Sequence, residues 1–191
     1  MSANVIFEQV MQMGLMFGSI RAASVLGWDK PENINTLRTF FGTATIIYYT
    51  MSFIIWQLAK STKDETPLIY EEPVNGQEEP EKFETTVSVY DIAQIEKLVK
   101  SAAFSTALII GLHAYFKITQ PLIIQSVLPL FSLFKSPLFG IYILRMKAEG
   151  SFQRPWVTKS AFGNTLNTPA QADTAPDAKA ADKSISDKKS E

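Results

Sequence analysis

Polar side chains interrupt the long apolar stretches of this 191-residue chain, and they are the first candidates for chemistry. A hydroxyl, an amide or an imidazole in an apolar environment costs free energy unless it is paired or hydrated. Such a cluster predicts either a partly hydrated groove within a bilayer or hydrogen bonds between neighbouring helices. The candidate groove residues are Ser105, Thr106, His113, Gln125 and Ser126.

His113 is the only histidine, and it lies three residues before the end of the charge-free run 101–116. An ionisable group at membrane depth is a candidate functional residue. The residues equally allow a neutral imidazole that anchors a turn through a hydrogen bond to Thr119 or Gln120. With one histidine and no cysteine, the chain has no multi-histidine or thiolate metal site, no disulfide and no cysteine nucleophile.

No catalytic motif appears in the sequence. There is no convincing Ser-His-Asp set, no phosphate-binding loop and no pair of intramembrane carboxylates. We therefore expect a protein that is not an enzyme and that needs no cofactor. The formal net charge of -1 also disfavours a general nucleic-acid binder, which would be strongly basic.

The distribution of charge predicts a membrane protein. Residues 39–59, 101–116 and 118–134 carry no charged side chain, while 60–100 and 145–191 carry most of them. We expect an all-α membrane protein with three to four transmembrane or re-entrant helices, a polar cytosolic loop and a disordered C-terminal tail (164–191).

The first two apolar segments differ in length. Residues 1–20 predict an uncleaved amphipathic or transmembrane helix, in which Gly14 and Gly18 form a G-x-x-x-G pattern suited to close helix packing. Residues 37–58 predict a transmembrane helix. At ~1.5 Å per residue, its charge-free run spans roughly 32 Å, enough for the hydrocarbon layer.

The next two segments pass from polar surface into apolar sequence. Residues 91–116 predict a long helix that begins at an Asp91 N-cap and enters the membrane. Small residues four apart predict a packing face on it, formed by Ala103, Ala107 and Gly111. Residues 118–144 contain Pro121, Pro129 and Pro137, which predicts a broken, re-entrant or tilted element.

Positive charge predicts the orientation. Loop 59–90 is acidic, and its part 64–84 has the composition of an extended or disordered spacer. Lys and Arg near the ends of the spans favour a cytosolic loop and a cytosolic C-terminus by eight to four. The eight are Lys60, Lys63, Lys97, Lys100, Arg145, Lys147, Arg154 and Lys159; the four are Arg21, Lys30, Arg38 and Lys117.

Residues 145–163 form a basic aromatic segment, in which bases alternate with Phe152 and Trp156. This pattern suits an anionic lipid surface and also suits RNA, through phosphate contacts and base stacking. The candidate ribosome or lipid contacts are Arg145, Lys147, Arg154, Trp156 and Lys159. Near the end of the chain, Lys188 and Lys189 resemble the dilysine retrieval signal of endoplasmic reticulum membrane proteins.

Several ordered motifs together resemble a known family. They are Thr85-Thr86-Val87 with Tyr90-Asp91, Lys100-Ser101, Leu138-Phe139-Gly140, Arg154-Pro155, and the run His113, Tyr115, Lys117, Thr119, Pro121-Leu122, Gln125-Ser126 and Pro129. The chain resembles the fungal endoplasmic reticulum proteins named for inorganic phosphate transport, the Pho-eighty-eight family. That family is also the third component of the SRP-independent (SND) targeting pathway. Here Trp156 replaces the Phe expected after Arg-Pro.

The resemblance implies a protein of the endoplasmic reticulum membrane that targets and inserts other membrane proteins. It implies as partners the Sec translocon, the ribosome, nascent membrane-protein clients and other SND components, within the lipid bilayer. The alternatives are a phosphate transport-related membrane carrier and a structural membrane adaptor. A carrier would need cations that converge within the membrane, for which only His113, Lys117 and Lys135 are candidates.

Overall fold

The chain folds as a mostly helical bundle with a β-hairpin at one end, in a computed structural model that describes residues 3–28, 30–72, 81–156, 158–159 and 165–166. The elements, in order, are α1 (Ala3–Val25), α2 (Ile34–Thr62), β1 (Pro67–Glu72), β2 (Glu81–Thr86), α3 (Val87–Phe116), α4 (Gln120–Lys135), α5 (Pro137–Tyr142), β3 (Thr158–Lys159) and β4 (Thr165–Leu166). Short 3-10 turns occupy Pro31–Asn33 and Gly150–Phe152. The expectation of an all-α fold is therefore wrong in one respect, because two short antiparallel pairs accompany the helices.

Two of the described helices are long and apolar enough to cross a membrane: the segment Pro31–Thr62, which contains α2, and α3. Both extend beyond the expected bounds of 37–58 and 91–116. The first helix also continues past residue 20 to Val25, but it is not among the two. α4 has 16 residues, so at ~1.5 Å per residue its ~24 Å is shorter than a hydrocarbon layer of ~30 Å.

The helices pack around α4 and α2. α2 contacts α3, α4 and α5, while α1 packs against α4. At one end, Ala23 of α1, Leu37 and Phe41 of α2, and Leu122 and Ile123 of α4 form a small apolar cluster. The larger cluster lies at the other end of the bundle, where the helices meet the hairpin and the C-terminal segment.

α4 does not break at the proline in its middle. It runs continuously through Pro129 and ends at Lys135, so the expected break within 118–144 lies later, at Ser136 and Pro137. Pro121 occupies the first turn of α4, where a missing backbone donor costs nothing. Ser136 caps the following helix, because its hydroxyl accepts a hydrogen bond from the Phe139 amide.

Two parts of the acidic loop, Pro67–Glu72 and Glu81–Thr86, form paired strands where sequence composition favoured an extended or disordered spacer over 64–84. Residues 73–80 of that prediction lie outside the described residues. β1 and β2 pair antiparallel, and Tyr70 stacks on Phe83 across the pair. The hairpin is tied to the helix ends, since the amide of Val87 donates to the Thr66 carbonyl and that of Ser88 to the Asp64 carbonyl. Hydrogen bonds donated by the Thr66 side chain and backbone amide lower the pKa of Asp64 and fix this corner as a tight turn.

Candidate functional site

The five candidate groove residues do not line one common cavity. Thr106 and Gln125 line the same crevice between α2, α3 and α4, whose volume of about 10 Å³ has room for one water. The hydroxyl of Ser126 is buried and donates to the Leu122 carbonyl of its own helix at 2.6 Å. Ser105 is half-buried on α3 and does not line the crevice.

His113 fixes the junction between α3 and α4. Its Nδ1 lies 2.9 Å from the carbonyl oxygen of Ile118, which can only accept, so Nδ1 carries the proton. Its Nε2 then accepts a hydrogen bond from Arg38 Nε at 3.2 Å. A neutral imidazole that anchors the turn fits both contacts, although the partners are Ile118 and Arg38 rather than Thr119 or Gln120.

The candidate packing faces point away from the bundle. Ala103, Ala107 and Gly111 are exposed on α3. A Cβ added at Gly14, Gly18 or Gly111 would meet nothing within 4 Å. No close helix approach uses these positions within the part of the chain that the structure describes.

Two residues of the basic aromatic segment are largely shielded from RNA or lipid, since the Arg154 side chain is only 11% exposed and Trp156 is buried. Arg154 Nε and Nη2 donate to the two oxygens of Asp91 at 2.7 and 2.5 Å, and the Asp91 side chain is fully buried. Tyr142 donates a third hydrogen bond to the same carboxylate at 2.6 Å. Trp156 is 8% exposed, and its amide donates to the Tyr90 hydroxyl. We call Tyr90, Asp91, Tyr142, Arg154 and Trp156 the clasp.

Within the clasp, the pKa values of Tyr142 and Arg154 favour the protonated forms that donate hydrogen bonds to Asp91. Burial and the hydrogen bond to Asp91 raise the pKa of Tyr142 well above its ordinary value, so the hydroxyl stays protonated and donates. Burial alone would lower the pKa of Arg154, but the hydrogen bonds and negative charge of Asp91 outweigh it and raise that pKa. Asp91 therefore serves as the buried partner of Arg154 within α3, and the N-cap of that helix is Thr86.

The remaining candidates in the basic aromatic segment have different surroundings. Arg145 and Lys147 are exposed, as a contact with a polyanion requires. Lys159 lies in β3, and its side chain is outside the described residues. Lys188 and Lys189 also lie outside them, as does the expected disordered tail apart from strand β4.

A wide cleft lies between α2 and α3, with a volume of about 490 Å³. We call it the α2–α3 cleft. Its wall is almost wholly apolar, but an exposed ion pair between Glu96 and Lys100, 3.4 Å apart, lies along its α3 side. The lining residues are Tyr49, Ser52, Phe53, Trp56, Ile95, Glu96, Val99 and Lys100.

Two hydrogen bonds between α2 and α3 fix which residues of the two helices lie side by side, and they place the Glu96–Lys100 ion pair opposite the middle of α2 rather than opposite its end at Lys60. The Arg38–His113 bond aligns the helices at one end, and Ser88 Oγ donates to the Ala59 carbonyl near the other. At ~1.5 Å per residue, Arg38 and Lys60 are roughly 33 Å apart along α2, whereas His113 and Lys100 are only roughly 20 Å apart along α3. Glu96, Lys97 and Lys100 of α3 therefore lie beside the charge-free stretch of α2, between its middle and Lys60.

Comparison with known proteins places the sequence in a family. The family model described as phosphate transport (Pho88) matches residues 6–190. The chain belongs to the Pho88 family. No solved structure gives a significant match.

Curated relatives of this Pho88-family chain match over most of their lengths. An uncharacterised protein of Schizosaccharomyces pombe is 34% identical over 87% of this chain and 84% of its own length. The SRP-independent targeting protein 3 of Saccharomyces cerevisiae is 29% identical over 86% of this chain and 89% of its own length. A Schizosaccharomyces pombe homologue of SRP-independent targeting protein 3 is 24% identical over 87% of this chain and 90% of its own length.

Several motifs that carried the family resemblance are explained by the clasp. Tyr90-Asp91 and Arg154-Pro155 meet there, although more than sixty residues separate Asp91 from Arg154 in sequence. Gly140 belongs to the same end of the bundle, because a Cβ there would lie 2.6 Å from the Phe152 ring. Sequence reasoning missed this role because a base among aromatics looks the same whether it faces a polyanion or a buried carboxylate.

Proposed function

We propose that this Pho88-family chain is a targeting and insertion factor of the endoplasmic reticulum membrane. It works with the ribosome, the Sec translocon and other SND components to deliver the transmembrane segments of client proteins to the bilayer. The similarity to SRP-independent targeting protein 3 of Saccharomyces cerevisiae supports the targeting role. The two long apolar helices support a membrane location.

The observation that carries the insertion step is the pairing of an apolar wall with charged residues in the α2–α3 cleft. A client segment must move polar flanking residues through hydrocarbon, where unpaired polar groups are costly. The cleft offers Phe53 and Trp56 to the apolar face of the client, and Glu96 and Lys100 to its polar flank. We therefore assign the partly hydrophilic groove to this cleft. The crevice lined by Thr106 and Gln125 adjoins it, since Tyr49 lines both.

The exposed bases Arg145 and Lys147 suit contact with ribosomal RNA. They lie in the segment that the clasp holds against the start of α3, at the hairpin end of the bundle. In this proposal that end faces the cytosol, and the clasp positions the bases there. Arg154 and Trp156 contribute by holding the segment rather than by touching RNA.

The carrier alternative receives no support from the described cations. Lys117 precedes α4 and Lys135 ends it, so they stand at opposite ends of a helix roughly 24 Å long. His113 is held between Arg38 and the Ile118 carbonyl. These three candidates do not converge on one anion site.

The test is site-specific photocrosslinking to nascent clients in membranes. A photoreactive residue replaces Phe53, which lines the cleft, or Phe104, which is exposed on α3 outside it. The proposal expects client adducts at Phe53 and few at Phe104, although Phe104 is the more exposed, at 74% against 58%. Equal adducts at both positions, or none at Phe53, would contradict a client path through the cleft.

A further inference from the structure

The apolar lengths of the helices differ on the two sides of the bundle. α2 presents roughly 33 Å between Arg38 and Lys60, close to a full hydrocarbon layer of ~30 Å. Lys60 stacks over Trp56 at 4.9 Å, an arrangement typical of a helix end at the membrane surface. Measured from the level of the Arg38–His113 bond, α3 presents only roughly 20 Å before Lys100, and α4 is only ~24 Å long in all.

A bilayer of uniform thickness cannot match the apolar lengths of both α2 and α3. If the hydrocarbon boundary lies at Lys60, then Lys100 lies roughly 13 Å inside it. If the boundary lies at Lys100, the apolar outer face of α2 around Phe53 and Ile54 stands in water. The hydrogen bonds at Arg38–His113 and Ser88–Ala59 hold the helices in register, so sliding one past the other does not remove the conflict.

We infer that the bilayer is thinned beside α3, with phospholipid headgroups and water drawn down to Glu96, Lys97 and Lys100. Short apolar helices are accommodated by local thinning and by snorkelling of their flanking bases. All three side chains are exposed on α3. Two bases and one acid match a headgroup that carries a phosphate, with or without an amine. On the α2 side, acyl chains reach the level of Lys60.

This inference needs only that α2 and α3 cross a bilayer, and it does not rest on the targeting role. It is therefore tested with the purified chain in vesicles, without ribosome or client. A negative result in the vesicle experiment would contradict bilayer thinning but not the client path through the cleft. A negative result in the crosslinking experiment would contradict the client path but not the thinning.

The chain offers a matched pair of probe positions. It has no cysteine, so one substitution introduces one thiol. Ser101→Cys on α3 and Thr50→Cys on α2 both replace a small exposed hydroxyl residue. Both lie roughly 18 Å along their helices from the Arg38–His113 bond, so in a flat bilayer they would sit at the same depth.

Both variants are reconstituted as full-length chains in phosphatidylcholine vesicles and reacted with a water-soluble maleimide. Ser101→Cys is expected to react about ten-fold faster, because the reactive thiolate forms only where water reaches it. A fluorophore on residue 101 should be quenched most by a headgroup-bound quencher, and one on residue 50 by a quencher in the acyl chain. Replacing Glu96, Lys97 and Lys100 together with Leu should bring the reaction rate at residue 101 down to that at residue 50.

Two results would overturn the inference. Equal rates at residues 101 and 50 would show that the bilayer is flat around the bundle. Fast reaction at residue 101 without stronger quenching from the headgroup would mean that water alone fills the space, and that no headgroup descends. Circular dichroism and thermal melting of each variant show that the comparison is made between folded chains.

Discussion

Replacing Asp91 with Asn is expected to release the C-terminal segment from the helical bundle. The Asp91 carboxylate is fully buried and accepts two hydrogen bonds from Arg154 and one from Tyr142. The Arg154 side chain is only 11% exposed, so the variant leaves a largely buried guanidinium without a counter-ion. Breaking a buried ion pair from one side costs about 3–5 kcal/mol. For a chain of this size that lowers the melting temperature by roughly 6–20 °C.

Graded variants separate the ion pair from its neighbours. Tyr142→Phe removes one hydrogen bond to a charged group and is expected to cost about 1.5–3 kcal/mol. Arg154→Lys keeps the charge but loses the two-pronged geometry, so it should fall between Tyr142→Phe and Asp91→Asn. Combining Asp91→Asn with Arg154→Met removes both partners. This double variant should be more stable than the sum of the losses measured for Asp91→Asn alone and Arg154→Met alone predicts.

The assay is thermal unfolding of the full-length chain in detergent, together with limited proteolysis of the C-terminal segment. The expected order of stability is wild type, Tyr142→Phe, Arg154→Lys, then Asp91→Asn, with proteolysis increasing in the same order. An Asp91→Asn variant that melts with the wild type would refute the clasp. Strictly additive losses in the double variant would equally refute a direct interaction between Asp91 and Arg154.

Two further predictions concern the same end of the bundle. Gly140→Ala forces a methyl group against the Phe152 ring and should cost about 1–3 kcal/mol of stability, read by thermal melting. Gly111→Ala, in open space, should leave the melting temperature unchanged or slightly higher, and equal losses at both glycines would contradict the contact. Arg145→Glu with Lys147→Glu should reduce recovery of ribosomes at low salt, and lower the salt slope of binding by about one to two, without changing the melting temperature. Unchanged recovery and slope would remove these bases from the proposed RNA contact.

The long helices were predictable from local sequence, whereas their register was not. Charge-free runs locate α2 and α3, because a helix in hydrocarbon must satisfy its own backbone and expose apolar side chains. Nothing local says that Lys100 stands opposite the middle of α2. That alignment depends on contacts such as Arg38–His113, whose partners are 75 residues apart.

Neither the hairpin nor the clasp was predicted from the sequence, and the reasons differ. The acidic composition of the loop hid a usable signal, since Leu68, Ile69 and Tyr70 form a short run of apolar residues, two of them strand-favouring types. Leu68 and Tyr70 face Thr85 and Phe83 across the pair. For the clasp no local signal existed. Asp91 resembles a helix N-cap by sequence, and only the fold brings Arg154 to it.

The central claim, that clients pass along the α2–α3 cleft, is tested most directly by client insertion in membranes that carry variant chains. The variant Glu96→Leu with Lys100→Leu removes the exposed ion pair beside the cleft. Its matched control, Glu71→Leu with Lys82→Leu, removes a comparable ion pair, 3.7 Å apart, from the hairpin. Insertion is scored by glycosylation of a lumenal tag on an SRP-independent client. We predict a large loss of insertion in the cleft variant and near-normal insertion in the hairpin variant, at equal protein levels. Normal insertion in the cleft variant would contradict the claim.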